Sequence, residues 1–305
     1  MKVAVLMSTW QGERYIEEQL RSILRQLPAD GQVIVRDDGS TDRGVERIEA
    51  MRDARVTVIR GANIGFARSF FALLDAAPDD AQVIMFSDQD DVWLPDKVAR
   101  AIAQLAPLGD VPALYCSRMR LVDAGLRPLG ESPAWPRPPS FRNALTQNIA
   151  TGCTCAINRA ALPLARRHGD LSLVHFHDWW LYLVFSAFGQ VVVDPQPTIL
   201  YRQHGANAIG TGSGLGRHLA TLRFIRRTSW LDVMYRQVAN FRAVHGERLA
   251  PPDRQLLDRY FDPRRPGMLR LAFAPVGFRQ TFVDEVLFRG LLLASVLRPR
   301  PGTGR

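Results

Sequence analysis

Lysine is almost missing from this chain: Lys2 and Lys97 are the only two among 39 basic residues in 305. Charge recognition therefore falls to arginine, whose planar guanidinium suits carboxylates and phosphates. Cysteine is scarce too. Cys116, Cys153 and Cys155 leave one thiol over from any pairing, so no disulfide framework is encoded. Cys153 and Cys155 are separated only by Thr154, a spacing poor for bridging and for zinc, and all three read as reduced, partly buried thiols. No run reaches the roughly 18 apolar residues of a membrane-spanning helix. Met1–Met7 passes straight into polar residues, which suits a first strand better than a secretory segment. These absences exclude a disulfide-stapled secreted scaffold and an integral membrane protein. They predict a cytoplasmic one.

The net charge of +9 is unevenly placed. Residues 201–305 hold 18 arginines and 7 acidic residues, a net of +11, which leaves −2 for residues 1–200. A basic tail suits nucleic acid, anionic lipid or plain solvated helix faces, and arginine bias also follows genome composition. Within the tail, Phe282–Leu297 suits an interfacial helix and a packed core helix equally well.

The first 90 residues alternate strand and helix patterns. Lys2–Met7, Gln32–Val35, Val56–Ile59 and Val83–Phe86 are short apolar runs. Between them, Tyr15, Ile16, Leu20, Ile23 and Leu24 recur at helical spacing, a second helix runs to about Arg52, and a third spans Ser69 to Ala76. Such alternation predicts βαβ units and a parallel sheet with helices on both faces. Beyond residue 110 the pattern loosens. Ala113–Cys116 and Val191–Val193 read as strands, Leu162–His168 and Trp179–Phe188 as helices, and Pro133–Pro139 as a loop. The glycine-rich stretch Gly210–Gly216 follows no convincing strand, which argues against a dinucleotide fingerprint and leaves a lid or a linker. From Arg217 onward basic amphipathic helices are expected. Two units follow: residues 1–215 as an α/β domain and 216–305 as a basic helical extension.

Three polar motifs fall at strand C-termini, where open α/β sheets bind ligands. They are Ser8–Glu13, Asp37–Asp42 and the acidic stretch Asp88-Gln89-Asp90-Asp91. Crowded carboxylates at a strand end repel one another unless a hard divalent cation neutralises them, and Mg²⁺ typically adds substrate phosphates to one or two carboxylates. Asp37-Asp38-Gly39-Ser40 suits recognition of a base or ribose, although the same residues serve ordinary turns and caps. Asn63 can cap a helix, while Arg68 can hold a diphosphate through two parallel contacts.

The ordered set Ser8-Thr9-Trp10, Asp37-Asp38-Gly39-Ser40, Asn63-Ile64-Gly65-Phe66-Ala67-Arg68 and Asp88-Gln89-Asp90-Asp91 resembles the family 2 glycosyltransferases. The resemblance covers roughly residues 1–205. It implies the GT-A fold, a Rossmann-like mixed and mostly parallel sheet, and inverting transfer from a nucleotide-sugar with Mg²⁺ or Mn²⁺. Thr9, Trp10, Glu13, Asp37, Asp38, Arg68 and Asp88 would then line the donor nucleotide, with Asp38 on a pyrimidine imide and Arg68 near the diphosphate. Thr151 and Gly152 match a loop lying against the donor sugar. Asp90 and Asp91, completed by His204, would form the metal shell.

Asp178 matches the general base, and it also suits a helix cap. His177 departs from the pattern, which commonly has an acidic residue there. Trp93, Trp179 and Trp180 are candidates for stacking on an acceptor sugar, although large aromatics more often belong to the core. His177-Asp178-Trp179-Trp180 and Tyr201–Asn207 are similar to bacterial rhamnosyltransferases of surface-polysaccharide assembly. That implies a dTDP- or UDP-sugar donor and a glycan or lipid-linked acceptor. The arginine-rich tail and Phe282–Leu297 predict peripheral contact with the inner face of the membrane, while a homodimer is left open and nucleic acid is not expected as a partner. Two rivals remain at this point. One is a nucleotidyltransferase, although Ser8–Glu13 lacks the glycine- and lysine-rich phosphate loop; the other is a non-enzymatic binder acting through the basic tail.

Overall fold

The computed structural model describes residues 1–203 and 230–297. Nine strands form one mixed sheet: β1 (Val3–Thr9), β2 (Gln32–Asp37), β3 (Val56–Arg60), β4 (Val83–Ser87), β5 (Val92–Trp93), β6 (Ala113–Val122), β7 (Pro128–Glu131), β8 (Ala156–Asn158) and β9 (Gln190–Arg202). Their order is β3-β2-β1-β4-β8-β6-β9-β5, with β7 on β6. The first four are mutually parallel, whereas β8 runs antiparallel to both β4 and β6.

Both faces are covered because β1 is apolar from Val3 to Met7 and its side chains alternate. Val3, Val5 and Met7 pack toward α1 (Ile16–Leu24) and α4 (Lys97–Leu105). Ala4 and Leu6 face α3 (Phe66–Ala76) and α7 (His177–Phe188) on the other side. The short helices α2 (Gly44–Ala50), α5 (Phe141–Ala144) and α6 (Leu162–Ala165) complete this half. Among the described residues four further helices follow: α8 (Trp230–His245), α9 (Pro251–Tyr260), α10 (Arg265–Ala272) and α11 (Phe282–Leu297). Met234, Phe241, Leu271, Phe288 and Leu292 join the same hydrophobic cluster as α3 and α7. The expected division at 215/216 and the Gly210–Gly216 stretch lie outside the described residues.

Two expectations from the second half change. Val191–Val193 grows into the 13-residue β9, although Pro195 and Pro197 cannot donate to a ladder. The register against β6 jumps from Ser117–Asp194 to Arg118–Pro197, so the intervening residues bulge out and the strand resumes. The helix expected over Leu162–His168 stops after Ala165, with Gly169 at a φ of 63° soon beyond it.

Candidate active site

The parallel strands β1, β2 and β4 end on one rim, in Thr9, Asp37 and Ser87. Gln89 ties two of these ends together. Its Oε1 accepts from Thr9 Oγ1 (2.6 Å) and Trp10 N (2.8 Å), while its Nε2 donates to Trp10 O (2.9 Å). The Trp10 backbone is thus held at both polar groups while its indole stays 54% exposed over the cleft. Gln11, strained at a φ of 52°, bridges to the next strand end by accepting from Thr41 N and Asp42 N.

Asp38 is turned inward. Its carboxylate pairs with Arg36 and accepts from Ile64 N and Gly65 N, both at 2.9 Å, with 2% of the residue exposed. That clamp closes the 61–65 loop over β2, and Gly39 (φ 79°) makes room because an added Cβ would lie 2.9 Å from Asn63 N. Asp37 caps the turn by accepting from Ser40 N. Thr9 is also 2% exposed. As folded, Thr9 and Asp38 build the rim and present almost no surface to the cleft; Trp10 does. Glu13 pairs with Arg43 and Arg47 on the outer side. Arg68 is exposed in the first turn of α3.

The turn from β4 to β5 carries the carboxylates. Ligand atoms of Asp88, Asp91 and Cys153 lie within 4.8 Å of one another. Burial, then the charges of Asp90 and Asp178, push the Asp88 carboxyl up to about 7. Burial and the charges of Asp90 and Asp88 push Asp91 well above the usual range. Asp91 Oδ2 is buried without a hydrogen-bond partner, while Oδ1 accepts from Arg202 N at 3.1 Å. An unpartnered buried carboxylate oxygen beside a second carboxylate fits a hard divalent cation. The Cys153 thiol is driven well above its ordinary value by burial and by Asp91 and Asp88. It stays protonated and walls the site. This group differs from the expected metal set: Asp88 and Asp91 come together, Asp90 stands beside them as a source of charge, and His204 lies outside the described residues.

Two cations that sequence reasoning passed over support the acidic turn. Arg202, 2% exposed at the end of β9, donates to Asp90 O (2.8 Å), Ala124 O (2.7 Å) and Glu18 Oε2 (2.6 Å). Lys97, fully buried in α4, donates to Cys153 O (3.0 Å) and lies 4.9 Å from the Trp93 ring centroid. Burial lowers its pKa to about 8. Lysine scarcity was the only mark of Lys97 in the sequence, and nothing there singled out Arg202 or Gln89.

Asp178 sits in the first turn of α7. Its Oδ2 accepts from Gly152 N (2.9 Å) and its Oδ1 from Trp179 N (2.6 Å). Burial raises its carboxyl to about 6, against the lowering effect of those amides and of Asn148. Thr151-Gly152 is therefore part of the same site. Gly152 has to be glycine because a Cβ would lie 2.7 Å from His177 Nε2. His177 is buried, stacked on Phe70 at 3.9 Å between ring centroids.

The expected sugar platforms Trp93, Trp179 and Trp180 are core residues, at most 3% exposed. Trp179 donates to Ala144 O (2.7 Å) and stacks on Trp230, and Trp180 meets Phe241 edge-on. The reason is packing. From Trp179 to Phe185 the helix is buried all round, with Trp179 and Trp180 in the cluster shared with α8, while Trp93 lies in the cluster on the other face of the sheet.

A Rossmann-like sheet with an exposed indole, a carboxylate pair and a half-buried carboxylate on one rim defines a transferase acting on a nucleotide-linked substrate. Residues 4–162 match the family described as glycosyl transferase family 2. The chain belongs to that family and is a glycosyltransferase of GT-A fold. It is 28% identical over 253 residues to the dTDP-rhamnosyl transferase RfbG of Shigella flexneri, covering 77% of this chain and 83% of that protein. S. aureus TarS 1-349 in complex with UDP superposes with a TM-score of 0.58 at 18% identity, covering 89% of this chain and 75% of that one. The mannosyltransferase PcManGT from Pyrobaculum calidifontis, in complex with GDP-Man and Mn²⁺, gives 0.52 at 17% identity, with 97% and 86% covered. Some other matches are partial: this chain spans 32% of a Nostoc glycosyltransferase and 60% of the TarS fragment in a second structure. Family membership displaces both rivals, the nucleotidyltransferase and the non-enzymatic binder.

Proposed function

We propose that the protein transfers a sugar, L-rhamnose from dTDP-rhamnose, to a hydroxyl of a glycan or lipid-linked acceptor, with inversion and with Asp178 as general base. The observation that carries this reading is the Asp178 carboxyl. It is raised to about 6 and held in one orientation by two backbone amides, and its charge is felt by Asp88 across the cleft. Inverting transfer is a single displacement at the anomeric carbon, so the acceptor hydroxyl must lose its proton as it attacks. A carboxylate with a pKa near the working pH accepts that proton best. The alignment with RfbG over most of the chain supports the choice of sugar and of a thymine nucleotide.

In this reading Trp10 stacks on the pyrimidine, Asp37 and the Asp38-clamped loop border the base and ribose, and Arg68 approaches the diphosphate. Thr151 and Gly152 lie along the donor sugar. Asp88, Asp91 and Asp90, with His204, would hold Mg²⁺ or Mn²⁺, which when bound supplies Lewis-acid neutralisation of the departing diphosphate. The unpartnered Asp91 oxygen supports that assignment. The catalytic unit is residues 1–215, and 216–305 form its extension, working at the cytoplasmic face of the membrane in polysaccharide assembly, as a monomer or a homodimer.

Asp178→Asn keeps the shape but removes the base, and its single carbonyl oxygen can accept from only one of the Gly152 and Trp179 amides. Transfer should drop by at least about 10²-fold, while donor binding measured by calorimetry stays within a factor of two or three. Wild-type turnover in the purified variant would end the mechanism.

A further inference from the structure

Helix α11 has two apolar faces, and among the described residues only one is covered. Its inner row, Glu285, Phe288 and Leu292, is buried. Glu285 accepts from Phe278 N (2.7 Å), Arg279 N (2.8 Å) and Arg289 Nε (2.8 Å), and Phe288 packs edge-on against Trp230. The outer row is Phe282, Val283, Val286, Leu287 and Leu297, with Gly290 and Ala294 between them. At about 100° per residue these positions fall within an arc of roughly 140° that contains no polar side chain. Phe282 is 78% exposed and Leu297 82%. A surface helix ordinarily turns charged residues to water, so an apolar outer face calls for a partner.

The neighbouring helix indicates which partner. α10 packs against α11, and Arg289 of α11 donates to Ala272 O and Val276 O in the connection between them. α10 exposes Arg265, Leu269 and Arg270, followed by Phe273 at 71%. Arg264 is exposed just before it. The sequence beyond α11 adds Arg298, Arg300 and Arg305 and no acidic residue. A two-fold contact between copies would bring two arginine-rimmed patches together and set like charges face to face. An anionic lipid surface satisfies both features: apolar side chains enter the acyl boundary and arginines meet phosphate headgroups.

We propose that the outer face of α11, with the exposed edge of α10, is a docking surface for an anionic lipid bilayer. The helix lies in the interface plane; among the described residues no helix is long and apolar enough to cross a membrane. This deepens the reading of a lipid-linked acceptor, and it is tested without donor or acceptor, so either can fail alone.

The experiment is flotation of the full chain with phosphatidylcholine vesicles and with equimolar phosphatidylcholine–phosphatidylglycerol vesicles, read alongside solution mass. Wild type should float with the anionic vesicles, and far less with the neutral ones. Phe282→Ser, Val286→Ser and Leu287→Ser combined should weaken that binding by about 10-fold or more, since each removes apolar side-chain area from the bilayer contact. Its melting temperature should hold, because these side chains are 78%, 51% and 44% exposed. If the triple variant melts early, Phe282→Ser alone carries the same comparison. Arg265→Gln with Arg270→Gln should weaken binding and flatten its salt dependence. The proposal is overturned if wild type floats with neither vesicle or if the serine variants float like wild type. It is equally overturned if wild type is a dimer that the serine variants split, which would make a second copy the occupant.

Discussion

At the residue scale, the proposed site separates side chains that would face substrate from side chains that hold them in place. Trp10 and Asp178 face the cleft; Gln89, Asp38 and Lys97 act behind it. Gln89→Ala removes three hydrogen bonds that fix the Thr9-Trp10 corner. At roughly 1 kcal/mol for each of the two on the Trp10 backbone, donor KM should rise by on the order of 10-fold. Turnover at saturating donor should change little; equal loss in both would mean that Gln89 acts on chemistry instead. A second prediction concerns pH. Because Asp178 must be ionised to accept a proton and titrates at about 6, turnover should fall as pH drops through that value. A rate flat down to pH about 5 would exclude it as the base. Trp10 and Asp178 were named in the sequence through the family resemblance, because the same residue types at strand ends and helix starts also serve ordinary turns and caps. The role of Gln89 was not legible there, since its partners are 79 and 80 positions away.

At the element scale, β9 matters most, and the sequence concealed it. Pro195 and Pro197 ended the apparent strand at Val193, yet the bulge against β6 lets it run to Arg202. Only that continuation brings the Arg202 guanidinium under the Asp90–Asp91 turn. Arg202→Met should cost about 3 kcal/mol, read as a lower urea midpoint, because it strips buried carbonyls of their donor. It should also weaken Mn²⁺ binding by loosening the Asp90–Asp91 turn, because Asp90 O loses the guanidinium while the backbone bond from residue 202 to Asp91 remains. A variant with wild-type stability would show the anchor to be dispensable. Helix α7 gives the complementary lesson. Its span was readable from its apolar run, but its burial all round from Trp179 to Phe185 was not, and that burial took in Trp179 and Trp180 while leaving Asp178 at the cleft.

For the whole molecule, the carboxylate cluster links pH, metal and stability. Asp88, Asp91 and Asp178 all have pKa values raised above the ordinary unfolded value of about 3.9. Between that value and about 7 the folded state binds more protons than the unfolded one, so their contribution to stability falls as pH rises. In chelator, Asp91→Asn should therefore melt higher than wild type at pH about 7.5, with the gap closing toward pH about 4. Mn²⁺ should stabilise wild type and not the variant, since a cation bound only to the folded state adds to its stability. A variant that melts below wild type in chelator would remove charge repulsion as the cause. The same thermal-shift measurement across a set of nucleotide-sugars would identify the donor.

The sequence by itself determined the parallel α/β core, the rim on which its motifs gather and the family. Short apolar runs, helical spacing and polar strand ends are local patterns that fold in only a few ways. Tertiary structure alone decided which carboxylates meet, that Cys153 walls them, that three tryptophans belong to the core and that α11 keeps a bare apolar face. Each of these depends on side-chain direction and on contacts between residues far apart in the chain, and a one-dimensional pattern carries neither.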